Sequence, residues 1–170
     1  MEVDPDILKI FQDIKKRHIR FRIRLFQDKI HISDWLMVVD AENKIQYWLD
    51  MSGYDLDTAR AMLEAGRYLY VGFMCHQVIE KSLKAYYWHS ILNEPPFTHN
   101  LLLLAEQSNL KDHLNDEMKK LLNRLMPLNI QARYPQDMEE LLKVLTVQVC
   151  NDLLKQTEEL FEWIKQLLKK

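Results

Sequence analysis

Residues 41–91 constrain the fold more than any other part of the sequence, because they read as two long helices with a single break. Within residues 41–65 we predict one helix, and within residues 68–91 a second. Gly66 stands where the first helix needs a left-handed C-terminal cap, whereas Gly53 is a weak point in its middle. The inward face of the first helix consists of side chains at helical spacing: Ile45, Trp48, Leu49, Leu56, Ala59 and Leu63.

Three further helices follow in the pattern of the chain. We predict a short one through Leu101–Leu104 capped by Thr98, one over residues 112–126 that Pro127 stops, and a last one from Gln136 to the C-terminus. Its buried stripe is Leu141, Leu142, Leu145, Val149, Leu153, Leu160, Ile164 and Leu168. Long helices with short connections predict an all-α, up-and-down bundle of about five helices. Only 3 glycines in 170 residues argue against a turn-rich β protein and a glycine-rich phosphate loop.

The N-terminal segment differs from this bundle, and we divide the chain into an extension (residues 1–40) and a bundle (residues 41–170). Residues 5–16 have helical spacing, but HIRFRIRLF also alternates like a strand, so residues 18–30 are a strand, a helix or an extended arm. Residues 9–30 hold eight basic and two acidic side chains, a net charge of +6 that leaves −8 for the rest of a chain with net charge −2.

Two explanations fit this charge asymmetry. A basic arm contacts a polyanion such as nucleic acid, or it folds back onto its own acidic body. In the first case the contacting side chains are Arg17, Arg20, Arg22 and Arg24.

Several classes of protein are disfavoured. Cys75 and Cys150 are too few for a disulfide framework, no stretch resembles a signal peptide, and the longest uncharged apolar run, residues 68–79, is too short to cross a bilayer. We therefore expect a soluble cytoplasmic protein that does not enter a membrane.

The sequence also lacks the motifs of common catalytic sites. The six histidines do not show the ligand spacing of a zinc site, and the pair of His76 with Glu80 at helical spacing is not by itself a metal site, so we expect neither a metal nor a cofactor. There is no Gly-x-Ser-x-Gly motif and no phosphate-binding P-loop, and we predict no catalytic residue.

One polar pattern stands out in the second helix. In HQVIEKSLKAYY, four polar side chains are predicted to share a face: Gln77, Glu80, Lys81 and Lys84. Either this face is a solvated stripe, or it borders a cleft and presents charge to a polar ligand or a partner chain.

Five short motifs in a fixed order carry a resemblance to a known family. They are Tyr54-Asp55-Leu56-x-x-Ala59, Gly66-Arg67-Tyr68, Gln77-x-x-Glu80-Lys81-x-x-Lys84-Ala85, Pro96-x-Thr98-His99-x-Leu101 and Ala132-Arg133-Tyr134-Pro135. In this order, over roughly residues 41–168, the chain resembles the HEPN domain. The resemblance implies a bundle of four to five helices, usually homodimeric and often encoded beside a minimal nucleotidyltransferase.

The family contains two kinds of member, and the chain departs from the first. Many members are metal-independent endoribonucleases with an Arg, four to six residues, and a His. Counted from Arg133 that His would fall within residues 138–140, and counted from Arg124 within residues 129–131, but neither window contains one. Histidine is the residue whose ordinary pKa suits a base near neutrality. Other members carry an Arg-Tyr-Pro turn there and are thought to bind nucleotides without cutting.

The resemblance therefore implies a non-catalytic binding module for a nucleotide or nucleic-acid phosphate. We predict that Arg133, Lys81 and Lys84 contact the phosphate, and that Gln77, Glu80 and Tyr134 shape the cleft. Alternatively, Arg133 pairs with a carboxylate such as Glu80, and Pro135 merely fixes the entry to the last helix. Two other functions stay open: a ribonuclease toxin of a toxin–antitoxin pair that uses a non-standard base, and a structural homodimer that partners a nucleotidyltransferase.

Overall fold

The computed structural model describes the backbone of residues 32–169 and the side chains of residues 39–169, and every regular element in this part is helical. The all-α prediction is confirmed. The α-helices are α1 (Ile32–Glu64), α2 (Tyr68–Ile91), α3 (Leu101–Gln107), α4 (Asp116–Leu125), α5 (Leu128–Gln131), α6 (Met138–Val144) and α7 (Val147–Leu168), with a 3₁₀ turn at Lys111–His113.

The predictions for residues 5–30 lie outside the described residues. They include the helix of residues 5–16, the conformation of residues 18–30 and the arginines of the basic arm. Helix α1 runs without interruption through residue 40, where the sequence pattern placed the boundary of the extension. The division into residues 1–40 and 41–170 stays a prediction.

Helix α2 is the centre of the fold. It packs against all six other α-helices of the described part, and 11 of its 24 residues are buried. Val71, Val78, Ile79 and Leu83 are at most 1% exposed. Polar groups on the buried faces of such a helix need hydrogen-bond partners inside the protein.

The connection between α1 and α2 follows from Gly66, as predicted. Gly66 has a φ of +66°, and its N–H donates to the carbonyl of Leu63 at 3.0 Å while the N–H of Arg67 donates to that of Met62 at 2.8 Å. These two bonds form a Schellman cap, which satisfies the last carbonyls of α1 and turns the chain into α2 within a few residues.

Two predicted helix starts are wrong by a few residues. Asn100, and not Thr98, caps α3, because its side chain accepts from the N–H of Leu103 at 3.0 Å. Helix α4 begins at Asp116 instead of residue 112, since Asn115 caps it by accepting from the N–H of Met118 at 2.9 Å. In both cases an Asn side chain nearer the helix provides the stronger cap.

The prediction of one unbroken helix from Gln136 onward is also wrong. Helix α6 ends at Val144, and Leu145 leaves the helical region with φ −85° and ψ +64° so that its side chain is only 3% exposed. Thr146 then caps α7 by accepting from the N–H of Val149 at 3.3 Å. The burial of Leu145 and the Thr cap explain the break.

Pro127 continues the chain where a stop was predicted. Its φ of −68° and ψ of −26° are helical, and it stands at the N-cap of the short, unpredicted helix α5. A proline is compatible with a helix start because its missing N–H would have no partner there.

Both cysteines of the chain are buried and reduced. Burial raises the pKa of the Cys75 thiol to about 12 and that of Cys150 to about 11. None of the described helices is long and apolar enough to cross a membrane.

Substitutions at two glycines test this description of α1. A Cβ at Gly53 would meet no atom within 4 Å, and Gly66 is equally open but has the left-handed φ. Gly53→Ala should therefore raise the free energy of unfolding by about 0.5–1 kcal/mol through helix propensity. Gly66→Ala should lower it by about 1 kcal/mol through backbone strain. Urea unfolding followed by circular dichroism measures both, and equal effects of the same sign would contradict the assignment.

Candidate functional site

Four polar side chains of α2 and one aromatic ring lie on one stripe at helical spacing, which we call the α2 polar stripe. Its members are three or four residues apart: Phe73, His76, Gln77, Glu80 and Lys84. His76 and Glu80 are buried, while the others are partly exposed. The stripe therefore runs from the interior of the bundle to its surface, and it meets the loop before α3 and the turn after α5.

Glu80 is the most connected side chain of the stripe. Its Oε1 accepts from the Nζ of Lys84 at 2.7 Å, and its Oε2 accepts from the Nδ1 of His99 at 2.9 Å. Burial alone would raise the pKa of Glu80, but the hydrogen bonds from Lys84 and His99 outweigh it and lower that pKa below its ordinary value. Glu80 is thus a buried carboxylate anion, and it holds the loop that carries His99 against α2.

His76 also binds the loop that carries His99. Its side chain is fully buried, and its Nε2 lies 3.2 Å from the carbonyl oxygen of His99. Burial lowers the pKa of His76 to about 4, so the ring is neutral at pH 7. Because a carbonyl can only accept, the proton sits on Nε2. The Nδ1 then carries a lone pair, 3.7 Å from the Oε2 of Glu80 and without a hydrogen-bond partner among the described residues.

The two lysines predicted to contact phosphate are turned toward α1. The Nζ of Lys81 forms an ion pair with Asp55 of α1. The Nζ of Lys84, besides binding Glu80, lies 5.1 Å from the ring centroid of Trp48. Both lysine side chains are at most 16% exposed. Their charges are thus balanced by carboxylates inside the helix interface.

Arg133 and Tyr134 lie at the surface, in the turn that follows α5. The Nε of Arg133 donates to the backbone oxygen of Asn129 at 2.7 Å, and its terminal nitrogen donates to the Asn129 side chain at 3.3 Å. Its guanidinium lies 5.0 Å from the Phe73 ring centroid and 5.6 Å from that of Tyr134. The alternative pairing of Arg133 with Glu80 is not found among the described residues; Asn129 takes that place.

Arg133 is electrostatically linked to the stripe. Its positive charge contributes to the low pKa of His76, together with the larger effect of burial. Arg133 and Tyr134 thus lie near the Phe73–His76 end of the stripe, which also carries Gln77. Glu80 lies further along α2 and is hydrogen-bonded to His99. Lys81 and Lys84 lie on the α1 side.

Sequence reasoning missed several of these partners. His99 was part of a quoted motif, but nothing in its spacing indicated a hydrogen bond to Glu80, nineteen positions away. Asn129 had a usable signal, because it stands four residues before Arg133 in a helical stretch. Asp55 and Phe73 are found only when the packing of α2 is known.

The other candidate sites in the described part are weaker. No group of three or more His, Cys, Asp or Glu side chains among residues 39–169 could hold a metal ion. A groove of about 990 Å³ lies between α1, the end of α2 and α7. Its lining includes Glu42, Asp50 and Asp57 beside Lys165 and Lys169, so the acidic side chains outnumber the lysines and do not favour a phosphate.

The titration of His76 predicts a pH-dependent stability. Its folded-state pKa of about 4 lies below the ordinary value of 6.5, so between these values the unfolded chain binds the proton that the folded chain rejects. The free energy of unfolding should fall by about 3 kcal/mol from pH 7 to pH 4 through this group. His76→Gln should flatten the fall, and His113→Gln, at an exposed position, should not. The pKa of Glu80 is lowered in the folded state, so its ionised form contributes to the free energy of unfolding. That contribution is lost only below about pH 4.5, where the carboxylate begins to be protonated in the unfolded chain.

Urea titrations at several pH values measure these changes. An undiminished fall between pH 6.5 and pH 4.5 in the His76→Gln variant would contradict the assignment of the proton to His76.

Comparison with known proteins agrees with this architecture. A crystal structure of TT1696 from Thermus thermophilus superimposes with a TM-score of 0.64 at 18% sequence identity, over 73% of this chain and 98% of that one. At this identity the similarity concerns the fold alone. Comparison with curated protein sequences gives no match.

The family assignment comes from the sequence profile of a domain. The model of the HEPN domain matches residues 45–167, which includes most of α1, the whole α2 polar stripe and the Arg133 turn. The chain therefore belongs to the HEPN domain family.

Proposed function

We propose that this protein is a non-catalytic binding module for the phosphate of a nucleotide or nucleic acid, a function in keeping with a family of nucleotide- and RNA-associated modules. The observation that carries the proposal is the state of Arg133. Its guanidinium is exposed, is oriented by Asn129 and stacks on Phe73, and no carboxylate of the described residues neutralises it.

An oriented, unpaired guanidinium is suited to phosphate. Its planar donors match two phosphate oxygens at once, and the hydrogen bonds to Asn129 reduce the entropy lost on binding. Tyr134, 72% exposed, offers a ring beside it for a base or sugar. Gln77, one turn along from Phe73 and partly exposed, adds an amide that can donate or accept.

Lys81 and Lys84 take a positioning role in this proposal. A direct phosphate contact would require each to leave a largely buried carboxylate, Asp55 or Glu80, and unpaired buried charges are costly. Lys84 acts instead through Glu80, which in turn fixes His99. Binding by Arg17, Arg20, Arg22 and Arg24 of the basic arm would add salt-dependent affinity for a longer polyanion.

We propose a non-catalytic function because the chain has no histidine at the position of the base in the nuclease motif. The nuclease spacing would require a base at residues 138–140, which are Met138, Glu139 and Glu140. A carboxylate works as a base near neutral pH where burial disfavours its charge, and both glutamates are exposed.

We further propose that the protein acts in the cytoplasm as a homodimer, with a nucleotidyltransferase as a candidate partner. The support for a dimer is the apolar surface of α6, a helix without a buried residue. Exposed apolar side chains lie on and around it: Ile130, Met138, Leu142, Val144 and Val147. An apolar surface of this kind is typical of an interface.

Replacement of Arg133 tests the binding proposal. Arg133→Ala should weaken the binding of a nucleoside triphosphate at least tenfold, since a charge-assisted bidentate contact contributes about 1.5–3 kcal/mol. Arg133→Lys should retain only part of the affinity, because lysine keeps the positive charge but lacks the planar guanidinium that binds two phosphate oxygens at once. Arg124→Ala is the matched control, for Arg124 is also exposed but pairs with Asp152 at 3.0 Å.

Calorimetry with a panel of nucleotides measures these affinities. Absence of any response in the unmodified protein would refute the proposal, and so would cleavage of a structured RNA that Arg133→Ala abolishes.

A charge on α6 tests the dimer. Val144, 62% exposed, should tolerate Val144→Glu without loss of stability in the monomer, yet a buried glutamate would disrupt an apolar interface. Light scattering should show a dimer for the unmodified protein and a monomer for the variant. Thr58→Glu, on the distant helix α1, should leave the mass unchanged. A monomeric unmodified protein would contradict the proposal.

A further inference from the structure

The loop between α2 and α3 presents an aromatic side chain to solvent in an unusual way. Phe97 is 101% exposed, which means that none of its ring is covered. A fully exposed Phe ring forgoes the stabilisation that burial of its apolar surface would give. Either the loop that carries such a ring is unconstrained, or the loop is fixed so that the ring stays accessible to a binding partner.

The loop around Phe97 is constrained on both sides. Phe97 is the central residue of a three-residue turn, in which the N–H of Thr98 donates to the carbonyl of Pro96 at 2.8 Å. His99 follows and is bound to α2 twice, through its Nδ1 to Glu80 and through its carbonyl to His76. Asn100 then caps α3. Pro95, on the other side, is buried. The exposure of Phe97 is thus built into an anchored loop.

His99 is the polar neighbour of this ring. The two ring centroids are 6.2 Å apart, and the His99 side chain is 55% exposed. Since Glu80 is an anion that can only accept, the Nδ1 of His99 carries a proton. The Nε2 of His99 has no hydrogen-bond partner among the described residues and is available for a ligand.

A second exposed aromatic ring lies beside a cation at the Arg133 turn. The loop of Phe97 and the turn of Arg133 are connected through α2. The carbonyl of His99 accepts from His76, and Phe73, one helical turn before His76, lies against the guanidinium of Arg133. The ring centroid of Tyr134 lies 5.6 Å from the same guanidinium. We call the four surface residues of this series the aromatic–cation strip: Phe97, His99, Arg133 and Tyr134.

The chemistry of the strip matches a single-stranded nucleic acid. Every base has a face that stacks on an aromatic ring, and groups between the rings can bind the connecting sugar and phosphate groups. A duplex would keep its bases stacked on each other and unavailable to Phe97 and Tyr134. Double-stranded nucleic acid is therefore a poorer match.

We propose that the aromatic–cation strip binds single-stranded nucleic acid, with bases stacked on Phe97 and Tyr134, a phosphate on Arg133, and a sugar hydroxyl hydrogen-bonded to the Nε2 of His99. This rests on the proposed function and extends it from one phosphate to a strand. The acidic side chains at the start of α6, Asp137, Glu139 and Glu140, oppose a strand near Tyr134, so the stacking contribution has to exceed their screened repulsion.

The test is fluorescence anisotropy with labelled strands of about ten nucleotides, a length within the usual site size. Phe97→Ala and Tyr134→Ala should each weaken strand binding by about tenfold or more. Phe97→Trp should retain it, and Phe97→Leu, which is apolar without an aromatic face, should not. Tyr54→Ala is the matched control, because Tyr54 is 72% exposed like Tyr134 but lies on α1. Oligouridine and oligodeoxythymidine distinguish RNA from DNA.

The outcomes separate this proposal from the previous one. If a nucleoside triphosphate binds in an Arg133-dependent way but strand affinity is unchanged by Phe97→Ala and Tyr134→Ala, the strip is refuted and the phosphate site stands. If Phe97→Ala leaves strand affinity unchanged and alters the mass in light scattering, Phe97 belongs to a protein contact and the strip is refuted. If strands bind through Phe97 but Arg133→Ala has no effect on triphosphates, the phosphate assignment fails, and with it the strip in the form proposed.

Discussion

The buried carboxylate of Glu80 is the group on which the surface chemistry of this protein depends. It sits in the central helix and joins three parts of the chain, since it accepts from Lys84 of its own helix and from His99 of the following loop. Lys84 in turn packs on Trp48 of α1. An unpaired carboxylate would be strongly unfavourable at this depth. The need to satisfy Glu80 therefore positions the loop and its exposed ring.

The central position of α2 also separates two kinds of basic residue. Lysines on this helix are drawn into the interface with α1, where Asp55 and Glu80 balance them. Arg133 comes from a turn outside the helix packing and meets only an amide and aromatic faces. The same sequence thus contains lysines paired with carboxylates inside the helix packing and an exposed arginine without a carboxylate partner among the described residues.

Much of the fold could be predicted from the sequence, because helical spacing and glycine at a C-cap are local signals. The bounds of α2 and the cap at Gly66 were predicted correctly. The break at Leu145 was not, since a leucine gives no local sign that tertiary packing will remove it from a helix. For the site, helical spacing predicted correctly which side chains of α2 are neighbours along the helix. It could not predict the ion pair between Lys81 and Asp55, which depends on how α1 packs against α2. The bond between Glu80 and His99 is equally non-local.

The two buried thiols have a practical consequence for the study of this surface. Thiol reagents react with the thiolate, and a thiol that is buried and has a pKa of about 11 or 12 supplies almost none at neutral pH. Toward maleimides the native chain therefore behaves as if it had no cysteine. A single cysteine introduced at any exposed position would carry a spectroscopic label alone, with Cys75 and Cys150 left in place to fill the core.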